Sequence, residues 1–243
     1  MHLIKLDATD STNAYLRRLL LSTVPEDYTV VSAKQQTQGR GQMGTHWESE
    51  MDKNLTFSLL RRDLSIPADQ GFILNICVSM ALYAVLHRIK LPDLSIKWPN
   101  DILSGTSKIA GILIENKIQG PEISTSIIGI GLNVNQTDFG NLPNASSLKL
   151  KLAKAFNLDM LLVSIVDEVK KVFLDKEHGG ESHLWDAYQN VLFKIGERMP
   201  FEDSDGKRFI GTIQGVSKDG KLVIATEDSV SKAFALKEVR LLY

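Results

Sequence analysis

The sequence predicts an α+β protein in which a mixed β-sheet flanked by helices is followed by a small domain built of strands alone. Three observations predict it. Isoleucine-rich runs of strand length recur between residues 94 and 131. The stretch from Pro67 to about Ile89 is apolar almost all round, as a helix buried between layers would be. From Ile195 onward, short and partly alternating runs sit around Asp205-Gly206 and Asp219-Gly220, two pairs suited to hairpin turns.

Taken in order, residues 3–6 predict a short strand, and Asp10 or Ser11 offers an N-cap to a helix carrying Leu16, Leu19 and Leu20 at helical spacing. Tyr28 to Ala33 and Asn54 to Leu60 predict strands on either side of a long polar, glycine-bearing loop, Gln35 to Lys53. Pro67 suits the first turn of the buried helix. Strands are expected at Leu94–Trp98, Lys108–Lys117 and Ser124–Gly131, then a polar loop over Gln136–Ser147. Helices follow at about 148–156, 159–177 and 181–190, punctuated by Asn157-Leu158-Asp159 and Gly179-Gly180. The runs FIGTIQGV, KLVIAT and KAFAL belong to the final strand-only domain. A division at 1–192 and 193–243 follows, and so short a final domain should pack on the preceding helices.

With 28 basic and 29 acidic residues the net charge is −1, so no global field gathers nucleic acid or an anionic membrane, and any anion must be bound locally. The single cysteine, Cys77, excludes an internal disulfide and points to a reducing compartment, the cytoplasm. It sits among Ile73, Leu74, Ile76 and Val78, as a packed core thiol rather than a nucleophile. The amino terminus lacks a signal-peptide pattern, and the apolar run Phe72–Leu86, interrupted by Asn75 and Ser79, reads as too short to span a bilayer. Histidines 2, 46, 87, 178 and 183 show no tight metal-ligand spacing. His46 reads as an exposed loop residue beside Trp47.

Three constellations carry chemistry. In the first, from Gln36 to Trp47, Gly39, Gly41 and Gly44 let backbone approach a ligand while Arg40 supplies a bidentate charge; the same pattern also suits a plain mobile turn anchored by Trp47. In the second, Lys97-Trp98-Pro99-Asn100-Asp101 precedes Lys108-Ile109-Ala110-Gly111, bringing a carboxylate and an ammonium to one mouth, as a surface ion pair would also do. In the third, Gly129-Ile130-Gly131-Leu132-Asn133-Val134-Asn135, glycines two apart clear one strand face and asparagines offer paired donors and acceptors; a β-bulge running into a turn has the same pattern.

In this order and spacing, together with Ser11-Thr12-Asn13, these segments resemble the successive signatures of biotin protein ligases over nearly the whole chain. The resemblance implies a class II synthetase-like, lipoate-ligase-like catalytic domain and a C-terminal SH3-like barrel. It implies activation of biotin by ATP to biotinyl-adenylate and pyrophosphate, then transfer to a lysine of a biotin carboxyl carrier protein. On that basis Ser11, Thr12, Gln36, Gly39, Arg40, Trp47, Lys108, Gly111, Gly129 and Gly131 would bind biotin, with Gly129 and Gly131 leaving room for its bicyclic ring. Gln42, Asn100, Lys108 and Asn133 would meet ATP. Lys108, Arg40 and Asp101 would be catalytic, with Asp101 poised toward Mg²⁺ or the incoming lysine.

One departure stands out. Where the bacterial pattern reads Gly-Arg-Gly-Arg-Arg-Gly-Arg, this chain has Gln42, Met43 and Thr45 in place of three arginines. About ten residues precede Ser11, leaving no room for the winged helix of ligases that double as repressors, so an enzyme without operator binding is expected. A homodimer is compatible with a sequence that does not reveal its exposed sheet edges.

Overall fold

The computed structural model describes residues 2–228 and 230–243. Its strands are β1 (Leu3–Thr9), β2 (Val30–Gln36), β3 (Leu55–Arg61), β4 (Ile66–Pro67), β5 (Leu94–Lys97), β6 (Asp101–Ser104), β7 (Ser107–Gln119), β8 (Glu122–Leu132), β9 (Arg198–Asp203), β10 (Arg208–Val216), β11 (Leu222–Thr226), β12 (Ser231–Phe234) and β13 (Val239–Leu241). Its α-helices are α1 (Thr12–Ser22), α2 (Phe72–Arg88), α3 (Leu148–Leu152), α4 (Leu158–Asp175) and α5 (Glu181–Asn190).

The first sheet runs β1-β2-β3-β8-β7-β6-β5, with β4 also paired to β8. It is mixed as expected, because β1 and β2 are parallel and the other neighbours antiparallel. Strand periodicity divides its faces. Leu55, Phe57 and Leu59 of β3, Ile112 of β7 and Ile128, Ile130 and Leu132 of β8 enter the main core with α2, α4 and α5. On the other face Val31, Leu60 and Ile127 form a smaller core with Leu16 of α1. The residues between the core isoleucines and leucines, Thr56, Ser58, Gly111, Gly129 and Gly131, therefore face the α1 side. Register aligns them: Thr56 and Gly111 both pair with Gly131, and Ser58 pairs with Gly129. The result is a shallow floor beside α1.

The second sheet is antiparallel, in the order β12-β11-β10-β9-β13. Its Phe201, Ile213, Val216, Leu222 and Ile224 share the main core. Gln189 of α5 stands in for a strand partner, accepting from Val216 N (2.8 Å) and donating to Val216 O (3.2 Å). Trp98 Nε1 donates to Gly220 O (2.9 Å), and Gly220, at φ 84°, lies against the Phe72 ring. The small sheet is thus docked on the preceding helices, as its size led one to expect.

Several elements differ from the sequence expectation. Pro67 pairs with Glu122 in β4 instead of opening the helix, and a short 3-10 turn, Ala68–Gln70, precedes α2. Turn and helix together make a 21-residue segment that is long and apolar enough, by length and composition, to cross a bilayer, against the expectation that it would be too short. Here Ile73, Leu74, Ile76, Val78, Ala81, Leu82 and Val85 are buried in the protein core. The helix expected at 148–156 stops at Leu152 because Ala153 turns left-handed (φ 53°) and the Asn135 side chain clamps the backbone of Phe156 through two hydrogen bonds. Strands β6, β9 and β13 are additional.

Cys77 is fully buried, and burial pushes its thiol up to about 12, consistent with an inert core residue. Arg61 is buried at the end of β3, its guanidinium sandwiched between the rings of Tyr28 (4.4 Å) and Phe173 (4.3 Å) and paired with Asp27 (3.2 Å) and Glu177 (3.3 Å). It ties the sheet to the junction of α4 and α5. We expect Arg61→Met to cost about 3 kcal/mol, because two carboxylates lose their cation and two rings their contact; denaturant unfolding measures it, and a loss below about 0.5 kcal/mol would show the clamp to be ornamental.

Candidate active site

Beside α1 the floor opens into a cavity of ≈ 310 Å³. Its polar end is built on the start of α1. Ser11 caps the helix, and the Thr12 backbone N (2.8 Å) and hydroxyl (3.1 Å) both donate to Gln36 Oε1, turning the Gln36 amide. Ser58 Oγ, with one proton to give, bridges Thr12 Oγ1 (2.7 Å) and Asn13 Oδ1 (2.5 Å). Asn13 Nδ2 donates to Glu115 Oε2 (2.9 Å), and Glu115 pairs with Arg17. With Gln36 Oε1 engaged as an acceptor, the Gln36 amide protons are what that side chain offers the cavity. The Arg18 guanidinium, bidentate on Asp10, holds that carboxyl far below the usual range and fixes the approach to the cap.

The glycine-bearing loop closes over this end as a small hairpin. Trp47 N donates to Gly39 O (3.0 Å), Gly41 N to Thr45 O (2.7 Å), and Arg40 and His46 face each other between them. The tip is a 3-10 turn, Gln42–Gly44, and Thr45 Oγ1 donates to Gln42 O (2.8 Å). A Cβ at Gly39 would strike Trp47 O and one at Gly41 would strike Thr45 Oγ1, so these glycines serve the hairpin's own closeness. The other glycines are also occupied: a Cβ at Gly129 would lie 2.5 Å from Asn13 Oδ1, and one at Gly131 would overlap the Trp47 indole. Trp47 lies on the Gly111–Gly131 pair, its Nε1 buried without a partner among the described residues.

Lys108 occupies the junction. Its Nζ is 2.6 Å from Asp101 Oδ1, an ion pair by distance whose direction leaves Oδ1 without an aligned donor. The pair spans β6 and β7, so the carboxylate and ammonium reach one mouth as the spacing suggested. Lys108 N donates to Asn144 O (2.6 Å) and Lys108 O accepts from Ser146 N (3.0 Å), clasping the segment that walls a second cavity of ≈ 300 Å³. That cavity is lined by Asn133, Phe139, Leu142 and Pro143 among others. His46, Trp47 and Lys108 line both cavities and form the partition between them.

Of the residues singled out from sequence, Ser11, Thr12, Gln36, Arg40, Gln42, Trp47, Asn100, Asp101, Lys108, Gly111, Gly129 and Gly131 line the first cavity. Asn133 lines the second, its Nδ2 donating to Ser146 O (3.0 Å). Asn100, expected on the nucleotide side, sits in the first cavity with its Nδ2 held by Ile112 O (2.7 Å). Asn135 reads no ligand, since both ends of its amide are committed to Phe156. Sequence reading named Asn13 within the Ser11-Thr12-Asn13 segment without assigning it a role, and missed Ser58, although Thr56 and Ser58 alternating with Leu55, Phe57 and Leu59 are a polar face on an otherwise apolar strand. It also missed Leu236 and Lys237, which reach the first cavity from the turn after β12.

Residues 6–133 match the model of the biotin/lipoate A/B protein ligase family, just over half of the chain. The chain belongs to that family. The bifunctional ligase/repressor BirA of Salmonella typhimurium is 32% identical over 97% of this chain and 73% of its own length. The biotin--[acetyl-CoA-carboxylase] ligase of Mycobacterium tuberculosis is 28% identical over 89% of this chain and 80% of its own. The biotin protein ligase of Aquifex aeolicus, solved in complex with biotin and ATP, superposes with a TM-score of 0.81 at 24% identity, covering 99% of this chain and 98% of that one. The mixed sheet with flanking helices is therefore the fold of the family, and the signature segments read from sequence fall around the two cavities of this chain.

The seat of Trp47 on two glycines is directly testable. Gly131→Ala should expel the indole and shift tryptophan emission to longer wavelength, with no shift when the same change is made in Trp47→Phe. An unchanged spectrum would place the ring elsewhere in solution.

Proposed function

We propose that this protein is an ATP-dependent biotin protein ligase of the cytoplasm that activates biotin and transfers it to a lysine of a biotin carboxyl carrier domain. What carries the reading is the partition: two cavities, one with a hydrogen-bonding cluster at its far end and one with Phe139, Leu142 and Pro143 in its wall, meet at Lys108. Biotin enters the first. Its ureido group needs donors and acceptors, which the Ser11 hydroxyl and the Gln36 amide protons, oriented by Thr12, supply, whereas the dithiolane of lipoate would leave that polar cluster unanswered. The adenosine occupies the second cavity against Phe139, Leu142 and Pro143.

The reacting atoms then meet at the partition. A biotin carboxylate oxygen attacks the α-phosphorus, the bond to the β-phosphate oxygen breaks, and pyrophosphate leaves. Negative charge gathers there, and the Lys108 ammonium, with Arg40 over the cavity and Lys237 from the second sheet, is placed to offset it. Mg²⁺ would arrive on the nucleotide's phosphates as part of that substrate. The protein's own carboxylate at the mouth, Asp101, is paired with Lys108. In the second step the carrier lysine amine attacks the acyl carbon, AMP departs, and Asp101 is positioned to hold the amine and take its proton.

The deciding experiment incubates a biotin carboxyl carrier domain with this protein, biotin and ATP and looks by mass spectrometry for one biotinylated lysine. Absence of the adduct, with thermal stabilisation by lipoate and ATP but none by biotin and ATP, would transfer the protein to the lipoate branch of the family. Lys108→Ala should lower pyrophosphate release by about a hundredfold or more. Gln42→Arg restores a cation at the loop tip and should slow escape of the adenylate by about tenfold, followed through Trp47 fluorescence in stopped flow. An unchanged escape rate would mean that Arg40 and Lys108 already suffice.

A further inference from the structure

The loop from Gln36 to Trp47 has two side chains able to carry positive charge, Arg40 and His46, while Gln42, Met43 and Thr45 stand where the family pattern has arginines. His46 is exposed, and it is one of the three residues that line both cavities. Of the other two, Trp47 is neutral and Lys108 is paired with Asp101. Hydrogen bonds at Gly41–Thr45 and Gly39–Trp47 hold the backbone on either side of His46, and its bridge to Arg40 sets these two residues across one narrow hairpin.

We infer that His46 is a phosphate-binding residue of the nucleotide site, one that strengthens ATP binding when its imidazole is protonated. The inference rests on the nucleotide reading of the second cavity. Imidazolium donates from both ring nitrogens and can meet two phosphate oxygens, whereas neutral imidazole offers one donor and no charge. The charged groups around it are Arg40 across the hairpin, Glu48 on the same loop, Asp101 of β6, Lys108 of β7 and Lys237 from the second sheet. Guanidinium, ammonium and carboxylate groups ordinarily keep their charge between about pH 6 and pH 8, so imidazole is the group type here that switches. A loop arginine binds phosphate at any pH; this histidine makes the same contact conditional on acidity.

The test measures equilibrium binding of ATP alone, without biotin, by calorimetry at about pH 6 and about pH 8, in wild type, His46→Gln and His46→Lys. ATP's own titration is common to all three and cancels in the comparison. The wild-type Kd should weaken between the two pH values by about tenfold more than that of His46→Gln, and His46→Lys should bind tightly at both. Equal weakening in wild type and His46→Gln overturns the inference and leaves the nucleotide reading standing. No ATP binding by any of the three proteins at either pH overturns both. Since His46 is an exposed loop residue, melting temperatures should match across the set, which separates the effect from misfolding.

Discussion

Ile128, Ile130 and Leu132 enter the core because Gly129 and Gly131 face the other way, and that alternation along β8 is the constraint on which the site depends. Antiparallel register extends it to β3 and β7, so residues far apart in sequence make one strip without bulk while their neighbours fill the core. A one-residue slip would bring isoleucine side chains into the pocket and remove them from the core at once. Stability and site shape are fixed by the same register.

On this floor the site is assembled from short-range commitments. Thr12 turns Gln36, Ser58 steadies Thr12 and Asn13, and Lys108 clasps the backbone of residues 144–146. Each hydrogen bond made within the protein selects which donors and acceptors remain for a ligand. The polar end thus owes its character to partners of the lining residues as much as to the residues themselves, and the wall of the second cavity is tied to the lysine that faces the first.

Much of this was legible in the sequence, because the decisive signals are local. Strand alternation, the N-cap at Ser11, the Asp-Gly turns and the spacing from Asp101 to Lys108 are all short-range patterns. What escaped was long-range. Asn135 resembles a ligand reader until Phe156, 21 residues away, takes both ends of its amide. Gly39 and Gly41 read as room for a ligand until the hairpin folds back and Trp47 and Thr45 fill that room. Lys237 could not be placed at the cavity before the second sheet was docked, since nothing in its neighbourhood resembles a binding motif. The shortened helix at Leu152 likewise depends on Asn135, together with the left-handed turn at Ala153.

The indole of Trp47 lies on Gly111 and Gly131 and forms a wall of both cavities. Burying Nε1 without an acceptor costs roughly 1–3 kcal/mol, which partly offsets the ring's gain from leaving water. Because Trp47 lines both cavities, ligand affinity at either includes the free energy of holding or shifting this ring. Substitutions that steady or loosen the indole on those glycines would therefore alter ligand binding without touching any ligand atom.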